Sequence, residues 1–507
     1  MADVLGHVEL VCFAAEYRGV EDITVPPAGC LYVGDALKKS NFSVRIHHIS
    51  SHEIEKTVQR IVASQPLFIG FSVITGSPVA HSARMSRLIK RRDGEIPIVW
   101  GGIHPSLMPQ ACLCEDSVDF VIRGEGEVTV AEFAEALREG HSLEAVAGLC
   151  WKGSDGQIHI NPERPFIKDL DQCAQDWSLV DPLRYVRNGF DGVKYISLIT
   201  SRGCPHKCGF CYNLAFNKRR WRAHSVDFVV NAVEKIRQLT GIESVAFNDD
   251  NFLVNESRAF GILERLREIG VRVSWLEVRL DRMDENVLQR LSEYGVRTLF
   301  VGWESGSDRT LKQIDKGFDT SLILEGFRLA AKYGFNVDAS AIVGFPFEDE
   351  KDWQATIAMA VRIDELNPGR NKFNIGVYVP YPGTPIVEVA KQHGFEFPQD
   401  IMAWDSFDIL KGSMRLPWIS SSEVRRFAII DRYAKMLFTG GDATGRMTLM
   451  RKAFAGLARL RLRHNVTVFP VEAALYNQMV RFYLKCRMAS STSPGAQSGA
   501  ISRQPTT

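Results

Sequence analysis

The residues with the clearest chemical potential are three cysteines that lie within eight positions of one another. They stand in the segment Ser201-Arg-Gly-Cys204-Pro-His-Lys-Cys208-Gly-Phe-Cys211, directly after the apolar run ISLIT. Three thiols on one loop can converge on a metal centre, and a cubane held by three cysteines leaves one iron open to a small molecule. A zinc knuckle completed by His206 or by an outlying cysteine is the alternative, together with plain buried thiols.

Other chemically capable residues stand where later strand patterns end. Asp249 and Asp250 follow the run SVAFN, and such a carboxylate pair could hold an ammonium group. A solvated turn or a helix N-cap explains the same pair equally well. Arg279 closes the run SWLEVR and could pair with a carboxylate, or could form a surface salt bridge. Binding of a ligand therefore depends on a fold that gathers these strand ends.

The first part of the chain alternates short apolar runs with helical patterns. The runs VELVCFA, LFIGFSV and PIVW are rich in β-branched and aromatic residues, and the segments between them have helical spacing. Strands that alternate with helices predict a parallel α/β sheet of the Rossmann type. We place this domain at residues 1–145 and expect residues 146–190 to form a linker with room for one hairpin.

A second alternation begins near residue 195 and contains six strand patterns, each separated from the next by a helical pattern. This order predicts a partial (β/α)6 barrel of the TIM type over residues 191–409, with chemistry at the carboxyl ends of its strands. The fold class is therefore α/β, with an N-terminal Rossmann-like parallel sheet, a central partial barrel and a mainly helical C-terminal domain at residues 410–487. Residues 488–507 are small and polar, and we expect them not to fold.

Overall charge indicates no nucleic-acid partner, because 61 Lys and Arg residues balance 60 Asp and Glu residues. The ten cysteines are scattered rather than spaced as a secreted disulfide framework, and the N-terminus does not look like a signal peptide, so we expect a cytoplasmic protein. Between Arg446 and Arg487, nine basic residues accompany one acid, Glu472. A solvated helix face is the ordinary explanation, and peripheral contact with anionic lipid, an acidic partner or a negatively charged substrate is the alternative.

The cysteine spacing resembles a known signature. Cys204-x-x-x-Cys208-x-Phe210-Cys211 is similar to the C-x-x-x-C-x-aromatic-C motif of the radical S-adenosylmethionine (SAM) superfamily. The resemblance implies a [4Fe–4S] cluster whose open iron chelates SAM, which one electron from a flavodoxin- or ferredoxin-type donor splits into methionine and a 5′-deoxyadenosyl radical. Later strand ends resemble the SAM-binding segments of one branch of that superfamily. On this resemblance the SAM contacts are Asp249, Asp250, Arg279, Glu304, Ser305, Gly344 and Pro346.

The N-terminal domain resembles the cobalamin-binding domain that precedes many radical enzymes of this branch. The resemblance is carried by Pro26-Pro27-Ala-Gly29, FIGFSVITGSP, Val99-Trp-Gly101-Gly102-Ile-His104-Pro105 and Arg123-Gly124-Glu-Gly-Glu127. The implied cobalamin contacts, several at strand ends where open α/β sheets bind ligands, are Ser72, Thr75, Gly101, Gly102, His104, Gly124 and Glu125. The sequence lacks the Asp-x-His-x-x-Gly pattern of cobalamin-dependent mutases, so no histidine is assigned to the lower face of cobalt. His104 is a candidate for that position, and a loop hydrogen-bonder is the alternative.

These resemblances cover about residues 8–390 and imply a cobalamin-dependent radical SAM enzyme similar to the class B methyltransferases. Such an enzyme methylates an unactivated position of a biosynthetic small molecule. A radical SAM cyclase, an oxidase or a carbon-skeleton rearrangement enzyme of the same branch is one alternative. A non-catalytic corrinoid or metal-binding carrier is the alternative from a different class. Nothing in the sequence indicates the substrate.

Overall fold

The structure is a computed structural model, and it describes residues 6–17, 20–22, 24–153, 155–189, 192–407, 414–440, 446–476 and 478. Two seven-stranded sheets and a helical C-terminal unit organise these residues. The end of the basic stretch, residues 479–487, and the tail expected not to fold, residues 488–507, lie outside the described residues. None of the described helices is both long enough and apolar enough to cross a membrane.

The N-terminal unit contains strands β1 to β9 and helices α1 to α6. The strands are His7–Phe13, Ala15–Tyr17, Val20–Asp22, Ser43–Ile49, Phe68–Ser72, Ile98–Gly101, Phe120–Ile122, Leu149–Lys152 and Ile158–Ile160. The helices are Ala28–Lys39, Ile54–Ala63, Ser77–Arg92, Ile103–Leu107, Pro109–Leu113 and Gly126–Glu139.

Five strands of the first sheet are parallel, in the order β4-β1-β5-β6-β7. Alternate side chains of β1 enter two different cores: Val8 and Leu10 pack with residues of α1 and α6, and Val11 and Phe13 pack with residues of α2 and α3. Burial on both faces explains why these strands are continuous apolar runs in the sequence. The hairpin expected within residues 146–190 is β8–β9, and it extends this sheet in antiparallel fashion.

The strand order reverses between β1 and β5, because the next strand along the chain, β4, lies on one side of β1 and the following one, β5, lies on the other. At such a reversal the helices that follow neighbouring strands leave on opposite faces of the sheet, and a crevice opens at the carboxyl ends of the strands. The first sheet therefore has one preferred place for a ligand.

The second unit contains strands β10 to β18 and helices α7 to α14. The strands are Arg187–Asn188, Lys194–Leu198, Ser201–Arg202, Arg222–Ala223, Ser244–Phe247, Arg272–Val278, Thr298–Glu304, Asn336–Val343 and Asn371–Val377. The helices are Tyr212–Phe216, Val226–Thr240, Glu256–Glu268, Glu285–Glu293, Asp308–Gln313, Thr320–Lys332, Glu350–Leu366 and Pro385–Gln392.

Six parallel strands form the second sheet in the order β11-β14-β15-β16-β17-β18, with β10 antiparallel at the β11 edge. In the part of the chain that the structure describes, β11 and β18 do not pair, so the barrel is open. Local signals define its helices: the Ser225 hydroxyl accepts a hydrogen bond from the Phe228 N–H at the start of α8, and Gly241 ends that helix in the left-handed conformation. The predicted α/β class, with a Rossmann-like sheet and a partial barrel, is confirmed.

The C-terminal unit contains helices α15 and α16, Ser421–Met436 and Arg446–Arg463. Helix α15 lies along β18, where the Asp431 carboxylate accepts a hydrogen bond from the Ile375 backbone N–H at 3.1 Å. The segment before α15 reaches the end of β17, because the Trp418 indole donates a hydrogen bond to the Gly344 carbonyl at 3.0 Å. The helical unit therefore covers the outer strand of the half-barrel.

Candidate functional site

A cavity of about 440 Å³ lies between the two sheets, at the carboxyl ends of their strands. The reversal point of the first sheet supplies one side of its wall, and the loops after β12 and β14 supply the other. Among the residues predicted to bind a cofactor, the wall contains Ser72, Gly101, Gly102, Gly124, Glu125 and Asp250. Gly203 and Tyr212, which flank the cysteine triplet, also line it. The structure thus joins the two predicted binding regions in one space.

The wall of the first sheet fits a bulky planar group such as a corrin. Gly124 has a φ of +74°, and a Cβ at this position would meet no atom within 4 Å, so the wall has room there. Apolar side chains such as Leu10, Phe71 and Ile122 line the same side, as in most sites for large organic ligands. Gly102 is different, because a Cβ there would lie 2.9 Å from the Val73 carbonyl oxygen. Close contact with the Val73 backbone, rather than room for a ligand, therefore explains why residue 102 is glycine.

Two predicted corrin contacts, His104 and Thr75, are not among the residues that line this cavity, and their contact with cobalamin stays a prediction. His104 is completely buried, and its ring packs edge-on against Trp404 at 4.5 Å between ring centroids. The Thr75 hydroxyl lies 3.3 Å from the Nδ1 atom of His104. Burial lowers the pKa of His104 to about 4, so the ring is neutral at physiological pH. His104 therefore connects the N-terminal unit to the segment Ile401–Ser406.

The cysteine loop is held by backbone geometry. Gly203 has a φ of +85°, and a Cβ there would overlap the Arg220 carbonyl oxygen, so the turn into the loop requires glycine. The Gly209 N–H donates to the Ile314 carbonyl at 2.9 Å, and the Gly209 carbonyl accepts from the Ile386 N–H at 3.2 Å. Two helices that are distant in sequence, α11 and α14, therefore fix the middle of the loop.

The three thiols of this loop lie close to one another, with Cys208 buried and Cys204 and Cys211 half-buried. Burial raises the pKa of Cys204, and it raises the pKa of Cys211 to about 12. Across the described ranges, no three His, Cys, Asp or Glu side chains converge tightly enough to hold a single metal ion. A cubane is bound at three separate corners, so its thiolates stand farther apart than the ligands of one zinc ion. The donor set of three thiols fits a cluster better than a zinc knuckle.

Arg279 lies directly beside the cysteine loop. Its guanidinium donates to the Cys208 sulfur at 3.5 Å and to the Lys316 carbonyl at 2.8 Å, and two further bonds of 3.1 Å join it to Asp281. The side chain is almost completely buried. This arrangement places a positive charge against a predicted cluster ligand, and the pairing of Arg279 with the SAM carboxylate stays a prediction.

The adjacent carboxylates Asp249 and Asp250 have different environments. Asp249 is fully buried and accepts three hydrogen bonds of 2.6 to 2.7 Å from the backbone and hydroxyl groups of residues 200–201. Asp250 lines the cavity and accepts from the Gly203 N–H at 3.1 Å and the Tyr212 hydroxyl at 3.3 Å. Asp249 therefore holds the end of β11 to the end of β14, Asp250 lines the cavity, and the SAM contacts predicted for both residues stay predictions.

The segment after β16 uses its polar groups inside the fold. Glu304 has a φ of +62°, and its carboxylate accepts a hydrogen bond from the Lys316 ammonium at 2.7 Å. Ser305 is fully buried, with its hydroxyl 3.1 Å from the Thr356 hydroxyl on α13. A Cβ at Gly306 would overlap the backbone of α13. The Ser305 side chain packs the strand end against the helix, and its predicted contact with SAM stays a prediction.

The segment after β17 has a satisfied backbone at Gly344. The Gly344 N–H donates to the Glu348 carboxylate at 2.6 Å, and its carbonyl accepts from Trp418. Burial raises the pKa of Glu348 to about 7. Pro346 is buried in the same turn. The chain therefore holds this turn rigidly, and the SAM contacts predicted for Glu304, Gly344 and Pro346 stay predictions.

The sequence analysis missed the ion cluster around Arg202. The Arg202 guanidinium donates to Glu125 at 2.8 Å and to Glu127 at 2.6 Å, and it lies over the Tyr32 ring at 4.4 Å from the ring centroid. All four side chains line the cavity. Arg202 stands two residues before Cys204, which marked its position, but its acidic partners are 77 and 75 residues away along the chain. Glu125, predicted to contact cobalamin, therefore also joins the two units.

Glu277 is a second residue that the sequence analysis missed. It stands on β15 two residues before Arg279, so period-two alternation places both side chains on the inner face of the half-barrel. Burial and the nearby carboxylates of Asp250 and Glu304 raise the pKa of Glu277 to about 8. A proton-holding carboxyl group therefore lies near Asp250 at the mouth of the barrel.

Comparison with known protein families accounts for this arrangement. Residues 22–134 match the B12 binding domain, and residues 198–360 match the radical SAM superfamily. The chain therefore contains a radical SAM domain preceded by a B12-binding domain. The radical SAM domain makes the protein an enzyme and implies SAM and a [4Fe–4S] cluster, and the B12-binding domain implies cobalamin. The three predicted cofactors are confirmed at this level.

Relatives cover most of the length of this radical SAM enzyme. An uncharacterized methyltransferase of Pyrococcus horikoshii is 28% identical over 413 residues, which are 81% of this chain and 87% of that protein. An anaerobic magnesium-protoporphyrin IX monomethyl ester cyclase of Synechocystis is 29% identical over 338 residues, which are 65% of this chain and 66% of that protein. The radical SAM methyltransferase TsrM from Kitasatospora setae, solved with cobalamin and a [4Fe–4S] cluster, superposes with a TM-score of 0.65 at 16% identity, covering 89% of this chain and 99% of that one. The similarity to TsrM shows that the two chains share a fold.

Proposed function

We propose that this enzyme is a cobalamin-dependent radical SAM methyltransferase that methylates an unactivated position of a biosynthetic small molecule. The observation that carries the proposal is the single cavity whose wall is shared by the strand ends of the B12-binding sheet and by the loops after β12 and β14. Radical formation and methyl donation must both reach one substrate position, which requires that the two sites open to one space. When bound, the cluster with SAM supplies a radical that removes a hydrogen atom, and the corrin supplies the methyl group.

The residues of the chain have separate tasks in this proposal. Cys204, Cys208 and Cys211 would hold the cluster, and Arg279 provides positive charge beside one of the thiolates. Asp250 would accept the ammonium group of SAM at the cavity wall. The apolar side of the cavity excludes water, which protects a reactive intermediate from side reactions.

The relative in Pyrococcus horikoshii, named a methyltransferase, supports this assignment over most of the chain. The cyclase of Synechocystis supports a second candidate, in which the same radical machinery closes a ring. Both candidates require a small-molecule substrate and a reductant, for which we propose a flavodoxin- or ferredoxin-type protein. With a substrate in hand, methyl-labelled SAM separates them, because only the methyltransferase gives a labelled product.

The first test needs no substrate. The full chain is reconstituted without oxygen with iron, sulfide and hydroxocobalamin, passed through a gel-filtration column and examined by ultraviolet–visible absorption. We expect both cluster and corrin absorbance, and formation of 5′-deoxyadenosine from SAM when dithionite is added. Cys204→Ala should abolish 5′-deoxyadenosine formation, and Cys114→Ala, which removes an exposed cysteine outside the loop, should retain it.

Two results would contradict the proposal. A chain that retains its cluster but no corrin is not a cobalamin-dependent methyltransferase. A Cys204→Ala variant that still forms 5′-deoxyadenosine excludes the cysteine loop as the radical site and favours a non-catalytic carrier.

A further inference from the structure

Exposed apolar side chains concentrate on one part of the C-terminal unit. Of the fourteen large apolar side chains that are exposed in the described part of the chain, eight lie between residues 449 and 475. Helix α16 carries Leu449, Met450, Leu457 and Leu460, and the segment after it carries Val468, Phe469, Val471 and Leu475. Single exposed apolar residues are ordinary on protein surfaces, whereas a contiguous group marks a contact surface. We call residues 449–475 the C-terminal surface.

Helix α16 is apolar on both of its sides. Its inner side is buried through Ala455, Ala458 and Leu462, and the helix packs on α13 and α15. Its outer side follows helical spacing and is exposed along its whole length, at Leu449, Lys452, Ala453, Gly456, Leu457, Leu460 and Arg463. Leu449 is 71% exposed and Leu460 is 55% exposed, and Phe469 beside the helix is 84% exposed. Five of these seven residues are apolar or glycine, so the outer side is an apolar stripe edged by basic residues, and its leucines remain exposed.

The C-terminal surface also carries more basic than acidic residues. Residues 446–476 contain six Lys or Arg residues and a single acid, Glu472. Arg461 pairs with that acid at 2.6 Å, and Arg459 and Arg463 pair with Asp364 and Glu365 on α13, so the excess positive charge of this surface comes from the first turns of α16, which contain Lys452. Lys452 lies on the outer side of α16 among the exposed leucines. A helix that combines exposed leucines with surrounding basic charge complements the anionic headgroups and acyl region of a bilayer.

We propose that the C-terminal surface docks this enzyme on an anionic lipid bilayer, with α16 parallel to the membrane plane. The leucines of its outer side and Phe469 would enter the boundary between headgroups and acyl chains, and Lys452 would lie at the lipid phosphates. No helix in the described ranges can span a membrane, so the contact is peripheral. None of residues 449–475 lines the cavity, so docking leaves the cofactor site accessible.

Sedimentation of the full-length protein with lipid vesicles tests this proposal. Vesicles of phosphatidylglycerol and phosphatidylcholine should bind the protein, and vesicles of phosphatidylcholine alone should bind it at least about ten-fold more weakly. Leu460→Asp should lower the partition coefficient on the anionic vesicles at least about ten-fold, because it removes an inserting side chain and adds a negative charge. Lys452→Glu should lower it as well. The matched control is Leu239→Asp on α8, which changes a leucine that is also 55% exposed and should leave binding unchanged.

The outcomes separate the possible occupants of the surface. Absence of binding to anionic vesicles, equal binding to neutral vesicles, or equal losses for Leu460→Asp and Leu239→Asp would overturn the proposal. Light scattering without lipid detects a second copy of the chain: a dimer that Leu460→Asp converts to a monomer, without vesicle binding, assigns the surface to self-association. Retained 5′-deoxyadenosine formation by both variants shows that each is folded.

Discussion

Replacement of Arg202 by methionine would test how the two units are joined at the cavity. The Arg202, Glu125 and Glu127 side chains are 15%, 7% and 7% exposed, and Arg202 pairs with both acids. Glu125 would keep a second partner, because Arg222 also pairs with it at 2.7 Å. Glu127 would become a buried carboxylate without its arginine. Removing one partner of a buried ion pair lowers the free energy of unfolding by about 3 to 5 kcal/mol. Because Glu125 keeps its pair with Arg222, we expect a loss near the lower end of this range, at about 3 kcal/mol.

Urea denaturation of the full chain without cofactors, followed by circular dichroism, measures this loss in the free energy of unfolding. The control is Arg328→Met, which removes a pair with Glu325 whose side chains are 53% and 51% exposed. Water screens an exposed pair and its contribution to stability is small, so the two variants should differ clearly. Adding Glu127→Gln to Arg202→Met should restore much of the loss, since the unpaired charge is then gone. The reasoning is refuted if Arg202→Met costs no more than the control, or if Glu127→Gln deepens the loss.

Two further outcomes concern acid stability and SAM binding. Burial would raise the pKa of Glu9, but hydrogen bonds from His47 and His7 outweigh it and lower the pKa to about 2. The ionised Glu9 carboxylate therefore stabilises the fold fully above pH 4.5, by at most about 3 kcal/mol, and this contribution is lost as the pH falls toward 2. In Glu9→Gln the free energy of unfolding should therefore depend less steeply on pH between 4.5 and 2. The same pH dependence of unfolding in Glu9→Gln and in the unmodified chain would contradict this role of Glu9. Trp418→Phe removes the donor to the Gly344 carbonyl and should weaken SAM binding about five-fold in equilibrium dialysis; unchanged affinity would separate Trp418 from the SAM site.

The first sheet could be predicted from the sequence because its strands are buried on two faces and are continuous apolar runs. The second sheet could be predicted because its strands alternate buried and partly exposed residues and helical patterns separate them. The cysteine loop could be predicted because its three thiols are local in the chain. The sequence could not show which of Asp249 and Asp250 lines the cavity. Successive side chains of a strand point in opposite directions, so a difference of one residue in where β14 ends decides which carboxylate reaches the cavity.

Long-range packing explains the remaining differences. The direction of the Ser305 side chain is set by Thr356, which lies 51 residues later on α13. His104 is buried because the segment Ile401–Ser406 from beyond the barrel covers it. The pairing of Arg202 with its two acids depends on how the two units are placed relative to each other, and no local pattern encodes that placement. Contacts that join distant segments, such as those of Arg202, therefore could not be predicted from the sequence.

Helix α15 occupies the place where a seventh parallel strand would lie. The Ile375 N–H, which such a strand would bind, donates instead to Asp431 on that helix. An uncovered edge strand is a template for pairing with another chain, so an isolated half-barrel would be prone to aggregate. Because α15 covers β18, a designed chimera with a different C-terminal unit needs a new cover for this strand along with any new substrate preference.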